Sequence, residues 1–321
     1  MKSAVSVDAY PGLVAWVQDG DRTTVFAHGV ANTRTQARMT GRHRFKIASI
    51  TKPMVAAVVL QLVEEGELSL SDSLEDWLPD TFPRGDDISI EHLLTHSSGL
   101  VDFDAIERLG KLVDSGRATP RSVVALSAKE PLSFDPGSQA VYSNTNYVVL
   151  GLIIEKVTQL SLEDNLHSRL FDPMRMSTAS SHAEPLPDAP MAHGYYENQD
   201  ITGEELGFAL AAGGLVMTAG DVGRFFRGLF EGQVVAKEVV ARMARDRVGP
   251  IEGWSGYGYG LGRVRTQCGL AYGHTGLTAG FVSEAWTLES LDRSAVVMAN
   301  RAESVASRHV LWPIVETALC G

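Results

Sequence analysis

Residues 45–66 read FKIASITKPMVAAVVLQLVEEG, and their interpretation decides the fold. From Thr51 onward apolar residues recur on a helical period, Pro53 is tolerated in a first turn, and Gly66 supplies a stop. The stretch therefore predicts a helix whose N-terminal end lies at Ser49. It also holds the only Ser-x-x-Lys of the chain, Ser49 and Lys52. Positions three apart share one helix face, so the Lys52 amine can approach the Ser49 hydroxyl. A hydroxyl becomes a good nucleophile only when a neighbouring base takes its proton. A lysine in a crowded, partly desolvated, positive site can lose its own proton near neutral pH and act as that base. The helix N-terminus adds positive potential and free N–H groups where an oxyanion forms. The plain structural reading is that Ser49 caps the helix and Lys52 is solvated. A chain of average composition and this length holds on the order of one Ser-x-x-Lys by chance, so the pair decides nothing alone.

On the N-terminal side, residues 13–17 and 23–27 flank the turn residues Asp19-Gly20-Asp21 and predict a hairpin. On the C-terminal side, residues 67–205 read as predominantly helical. Short segments such as ISIEHLLTH and VYSNTNYVVLGLIIEKVTQL are separated there by Pro, Gly and Ser/Asp clusters. A helix follows near 221–230, then strands around 257–265, 281–287 and 294–299. A last helix runs from about 304 to 319, with Pro313 expected to kink it. Strands at both ends with helices between predict an α+β fold, an α/β sandwich. One antiparallel sheet is built from both chain termini and flanked by helices, and an all-α insertion domain sits beside it. The expected division is 1–66 with 206–321 as the sheet domain and 67–205 as the insertion, with the active site in the crevice between them.

The 321 residues carry 28 Lys and Arg against 39 Asp and Glu, a net charge of -11. That balance repels phosphate backbones and anionic lipid, so nucleic acid and membrane surfaces are excluded as primary partners. A small-molecule or short-peptide substrate, neutral or cationic, fits better, and a monomer is plausible. No apolar run reaches the length of a membrane span, and MKSAVSVDAYPG lacks a secretory apolar region, so a cytoplasmic chain is expected unless the N-terminus has been trimmed. Cys268 and Cys320 are too few for a disulfide scaffold and suggest no zinc site. They are either thiols, the normal state of an unexported chain, or one bridge tying the C-terminus to the body.

Two further elements bear on chemistry. In Tyr142-Ser143-Asn144, a phenol near cations can shuttle protons and an asparagine amide can orient a substrate amide. Tyr196-Glu197-Asn198 matches the same pattern, but Tyr142 precedes the helical run 146–160, whereas Tyr196 lies in a polar, irregular stretch. In Gly273-His274-Thr275-Gly276-Leu277, His274 at a strand start can place positive charge beside the tyrosine. Gly276 can let substrate backbone approach a sheet edge, and the N–H that follows can point into an oxyanion hole. Taken singly, a helix-start tyrosine and a surface histidine in a glycine turn explain these residues as well. His92 and His96, four apart, have the spacing of a metal pair but no third ligand cluster, and the glycines of YGYGLG do not match a dinucleotide fingerprint. No metal and no cofactor is expected.

The three elements occur in the order Ser-x-x-Lys, Tyr-x-Asn, His-Thr-Gly, and here the chain resembles the serine β-lactamase-like superfamily. That group includes class C β-lactamases, serine DD-carboxypeptidases and related esterases and aminopeptidases. The resemblance covers nearly the whole chain, through PGLVAWV, FKIASITKPMVAAVVLQLVEEGELSLSDSLEDWLP, ISIEHLLTHSSGL, VYSNTNYVVLGLIIEKVT, FDPMRMSTAS, AAGGLVMTAGDVGRFF, YGYGLG, GHTGLTAGF and VVMANR. It implies Ser49 as acylated nucleophile, Lys52 as its activating partner, Tyr142 as proton shuttle and Asn144 as substrate-amide contact. His274 stands in the place of the third-motif Lys or His, Thr275 touches the polar end of the substrate, and the N–H groups of Ser49 and Leu277 form the oxyanion hole. Leu277 departs from the hydroxyl residue of members that grip a terminal carboxylate, and Arg263 is the nearest replacement. The expected function is a serine acyl-enzyme hydrolase cleaving an amide or ester. Its alternatives are an intracellular transacylase or esterase of small-molecule metabolism and a catalytically silent binding module.

Overall fold

The N-terminal hairpin forms as its residues dictate. β1 (Gly12–Asp19) and β2 (Arg22–Asn32) pair antiparallel from Gly12↔Gly29 to Asp19↔Arg22, closed by a two-residue turn in which Gly20 takes φ +56°. The other edge of β1 pairs with β12 (Arg293–Ala299), from Leu13↔Ala299 to Asp19↔Arg293. The first and last strands thus lie side by side at the centre of one sheet. In this computed structural model, which describes residues 10–181, 186, 188–204, 206–245, 247–251, 253–302 and 311–321, the sheet grows outward from that pair. It adds β3 (Ala37–Arg38) beyond β2 on one side. On the other it adds β11 (Phe281–Leu288), β10 (Gly269–Thr278), β9 (Gly262–Thr266) and β8 (Gly256–Tyr257), giving eight strands in the order β3-β2-β1-β12-β11-β10-β9-β8. Every pairing in it is antiparallel.

Alternation along β12 divides the core in two. Val296 and Met298 face a cluster that includes the central helix Thr51–Glu64 and the helix Ala219–Glu231. Ala295, Val297 and Ala299 face Leu311, Val315 and Leu319 of the C-terminal segment. Gly223 lets the helix Ala219–Glu231 lie close against the sheet, since a Cβ there would come within 2.6 Å of the Trp16 ring. The central helix is buried all round, from Thr51 to Leu60 without a break, and apolar there except at Thr51 and Lys52, because it lies between the sheet and the remaining helices rather than on a surface. Those helices start at predictable caps: Ser73, Ser89, Thr119 and Ser161 each accept a backbone N–H of the first turn, satisfying donors the helix cannot.

Three details depart from the sequence expectations, and a fourth decides between two states of the cysteines that the sequence leaves open. The stretch expected to be all-helical contains a small hairpin, β5 (Tyr195–Tyr196) with β6 (Gln199–Asp200). His274 sits in the middle of β10 rather than at a strand start. The C-terminal helix is Trp312–Cys320 with Pro313 in its first turn, where the missing N–H costs nothing, so no kink is required; its expected beginning at 304 lies outside the described residues. Cys268 and Cys320 are joined as a disulfide, Cα–Cα 5.5 Å, which staples that helix to the β9–β10 turn. Among the described residues no helix is long and apolar enough to cross a membrane.

Candidate active site

Ser49 lies in a single 3-10 turn, Ala48–Ile50, immediately before the central helix. The turn is gripped from two sides. β4 (Arg44–Lys46) pairs with β7 (Val216–Thr218), and Ile47 N–H donates to Leu215 O at 3.0 Å. The Ile47 carbonyl accepts from Ser283 Oγ at 3.0 Å and faces Gly276, where a Cβ would come within 2.1 Å of it. Ala48 is forced to φ +48°, a conformation that costs a residue with a Cβ about 1–2 kcal/mol. The surrounding contacts therefore hold the serine in place against a local preference to relax.

Lys52, wholly buried, reaches back one turn: Nζ donates to Ser49 Oγ at 2.9 Å, Asn144 Oδ1 at 2.7 Å and Ala212 O at 2.6 Å. Three acceptors match the three N–H donors of an ammonium. The same Nζ stands 4.9 Å from the centroid of the Tyr142 ring and 5.5 Å from that of Tyr147. Asn144 opens the helix Asn144–Thr158. Its Nδ2 donates to Asp102 Oδ2 at 3.2 Å and Asp104 Oδ2 at 3.0 Å, so its carboxamide is engaged at both ends. Contact with a substrate amide requires it to release a partner, and the exposed Asp104 is the nearer to solvent.

Tyr142 is buried in a ring cluster with His96 at 4.3 Å, Trp254 at 6.0 Å and His274 at 6.2 Å between centroids. His96 backs it from behind. Its Nδ1 accepts from Ser143 N–H at 3.2 Å and lies 3.2 Å from Asn146 Nδ2. Burial, then Lys52 and His274, push its pKa well below the ordinary value. His92 instead completes the cap at Ser89, accepting its N–H at 3.2 Å, so the two histidines of the i, i+4 pair serve separate structural ends. Tyr196, from the competing Tyr-x-Asn, is 44% exposed on β5 and reaches only the cavity wall.

His274 differs from its expected state. It is fully buried, with Trp254 at 4.7 Å. Burial and the nearby Lys52 ammonium push it down to about 3, so it is neutral while Lys52 is charged. Two coexisting positive charges are not what the site holds; the two groups compete for charge. Gly276 admits the Ile47 carbonyl, a packing role distinct from the expected approach of substrate. Beyond the last β9–β10 pair, Gly273↔Gly262, residues 274–278 continue with β11 as their strand partner, and that side of β10 faces the cavity through Thr275, Leu277 and Thr278. Arg263 is not among the lining residues; its guanidinium donates to Ser255 O at 3.1 Å.

The residues so assembled border one cavity of 390 Å³. Ser49, Tyr142 and Asn144 lie on its wall with Thr275 and Leu277, apolar surface comes from Phe103, Leu206 and Phe208, and Asp104 adds a carboxylate. Sequence reasoning missed Asp102, Asp104 and Trp254, and singled out YGYGLG, which begins at Tyr257, without giving that tyrosine a role. The only local signal of the first three is that Asp102 caps the short turn Phe103–Ala105.

A large antiparallel sheet joined from both termini and flanked by helices is the β-lactamase-like fold. The chain belongs to the Beta-lactamase family, whose description matches residues 4–319. It is 29% identical over 301 residues to a D-aminopeptidase of Brucella anthropi, covering 90% of this chain and 56% of that protein. The D-amino acid amidase of Ochrobactrum anthropi SV3, solved with L-phenylalanine, superposes with TM-score 0.86 at 26% identity, covering 97% of this chain and 94% of that one. An octameric penicillin-binding protein homologue from Pyrococcus abyssi gives TM-score 0.82 at 25% identity, covering 97% and 74%. The chain spans 37% to 58% of the length of the first curated relatives it matches.

Proposed function

We propose that the protein is a serine hydrolase that forms an acyl-enzyme on Ser49 and cleaves an amide or ester of a small, amine-bearing acyl group. The observation that carries this reading is the 2.9 Å contact of a buried Lys52 Nζ with Ser49 Oγ on the wall of a substrate-sized cavity. As Ser49 Oγ attacks the carbonyl carbon, its proton passes to Lys52 in the amine form. The developing oxyanion is received by the backbone N–H groups of Ser49 and Leu277. The leaving nitrogen or oxygen takes a proton by way of Tyr142 as its bond to carbon breaks, and water repeats the sequence to free the acid. Thr275 meets the polar end of the substrate.

The class of substrate follows from the lining. Phe103, Leu206 and Phe208 suit an apolar side chain, and the Asp104 carboxylate suits an ammonium. The names of the D-aminopeptidase and the D-amino acid amidase support an amino-acid amide. The Cys268–Cys320 bridge supports an oxidising compartment rather than the expected cytoplasm; thiol titration of protein purified under alkylating conditions checks it.

The deciding experiment treats the protein with a fluorophosphonate and a fluorescent penicillin, locates the adduct by mass spectrometry, and assays D-phenylalanine amide, a D-Ala-D-Ala peptide, nitrocefin and a p-nitrophenyl ester, with and without an amine acceptor. An adduct on Ser49 and turnover of the amide are expected. Turnover that survives Ser49→Ala overturns the reading.

A further inference from the structure

Behind the cavity wall, three buried rings form a hydrogen-bonded chain whose two ends are both acceptors. His274 Nδ1 lies 2.5 Å from Thr275 O, and its Nε2 lies 3.2 Å from Tyr257 Oη. Tyr147 Oη donates to Leu94 O at 3.1 Å, and since a phenol has a single O–H, its hydrogen bond with Tyr257 is one in which Tyr147 accepts. His274, Tyr257 and Tyr147 are each 0% exposed and come from β10, β8 and the helix Asn144–Thr158.

A carbonyl can only accept, so each of the four links needs a proton from within the chain. A neutral imidazole and two phenols carry three. With His274 neutral, one buried link has no proton, an arrangement that costs free energy in proportion to its burial. With both ring nitrogens protonated, every link is filled: Nδ1–H to Thr275, Nε2–H to Tyr257, Tyr257 to Tyr147, and Tyr147 to Leu94. The chain is one proton short, and the vacancy is at His274.

What opposes filling it is also on hand. The titratable groups around the ring are Lys52 from the central helix, His96 from the segment after Leu94, Tyr142 from the segment before Asn144, and Tyr257 from β8. Burial disfavours a proton on His274 first, and an ammonium at Lys52 adds to that, whereas an amine does not. We infer that Lys52 and His274 share one proton across the site, and that Tyr257 and Tyr147 are positioning residues that let His274 hold it while Lys52 is the free amine.

The inference rests on the proposed role of Lys52 as acceptor of the Ser49 proton. The balance closes. With the shared proton on His274, Ser49 O–H breaks toward the Lys52 amine as the Oγ–carbon bond forms. The leaving atom then takes that proton as its bond to carbon breaks, and Lys52 is an amine again. The shared pair titrates as a unit, so its apparent pKa belongs to both groups.

The test uses the full chain with Tyr257→Phe and, separately, Tyr147→Phe. In Tyr257→Phe the ring keeps one partner, Thr275, and one proton suffices. In Tyr147→Phe the His274–Tyr257 bond survives, but the Tyr257 hydroxyl is now free to donate to Nε2, so two links hold two protons with a neutral ring. Both variants are expected to move the acidic limb of kcat/KM up by about one pH unit and to lower kcat about tenfold at pH 7 with KM little changed. By ¹⁵N NMR of the histidine rings at pH 7, wild-type His274 Nε2 is expected to carry a fraction of the shared proton, and to stay unprotonated in both variants. A limb and ring signals left at wild-type positions in Tyr147→Phe overturn the inference, as does a fall in kcat that is even across pH. If Tyr257→Phe does not fold, Tyr147→Phe decides alone. The ring spectrum needs no turnover, so it reads the shared proton even where Ser49 labelling fails and the proposed function falls with it.

Discussion

Glu284 offers a quantitative test of the core. It sits on β11 opposite Thr275 and Val297, with no exposed surface. Its Oε2 accepts from Trp286 Nε1 at 2.9 Å, and its Oε1 has no partner among the described residues. Burial therefore dominates over that single donor and pushes its carboxyl from 4.5 up to about 8. Because the folded pKa lies above the unfolded one, the native state holds the proton more tightly between those two values. Stability is then fully present below pH 4.5 and is lost as pH rises toward 8. The rise is about 3.5 pH units, which at about 1.4 kcal/mol per unit corresponds to about 5 kcal/mol across the window, of which about 3 kcal/mol is gone by pH 7. Glu284→Gln has nearly the same shape and does not titrate. Whatever its absolute stability, its advantage over the wild type should grow by about 1.4 kcal/mol per pH unit from pH 5 to 8 and level off above that. Urea unfolding of both proteins at pH 5, 6, 7, 8 and 9, read by tryptophan fluorescence, measures the difference. A gap between the two that stays constant from pH 5 to 8 refutes the reasoning, because it means that the carboxyl is ionised in the native state without penalty.

The active site gives sharper outcomes. Ser49→Ala should abolish turnover and covalent labelling, and Lys52→Ala should lower kcat by on the order of 10²–10⁴, the range of a lost general base, as steady-state kinetics and intact-mass labelling will show. Gly276→Ala places a methyl 2.1 Å from Ile47 O and 2.4 Å from Ser283 Oγ; we expect about 1–3 kcal/mol of destabilisation by overpacking and a lower rate of Ser49 acylation, from melting curves and stopped-flow labelling. Asp104→Asn should raise KM for an amino-acid amide about tenfold, the equivalent of about 1.4 kcal/mol, relative to its des-amino analogue measured side by side. Replacing Cys268 and Cys320 by Ser opens a loop with a sequence separation of 52, for which chain entropy assigns about 4 kcal/mol, and denaturant midpoints of the oxidised and mutant proteins check it.

What the sequence shows of this protein follows the range over which its residues act. The sheet joined from both termini is legible because the short apolar runs of residues 13–17 and 294–299 are a local signal, and strands β1 and β12 then pair side by side. Ser49 and Lys52 are legible because their contact spans three positions on one helical path. Asp102, His96 and Tyr257 are not, since each meets the site across the fold: Asp102 and His96 reach Asn144 and Ser143 over separations of 42 and 47, and Tyr257 reaches His274 over 17. No periodicity encodes those distances. His274 shows the consequence for chemistry. It is singled out by Gly273-His274-Thr275-Gly276, yet nothing in those four residues separates a solvated imidazole from one enclosed by Trp254, Tyr142 and Tyr257. Solvated, it would titrate as an ordinary histidine and add charge to the site; enclosed beside Lys52, it cannot carry a charge while the lysine does. The identity of a catalytic residue is thus a property of the sequence, whereas its protonation state is a property of the packing around it, and the geometry of that packing is what turns a list of motif residues into a mechanism that pH profiles can test.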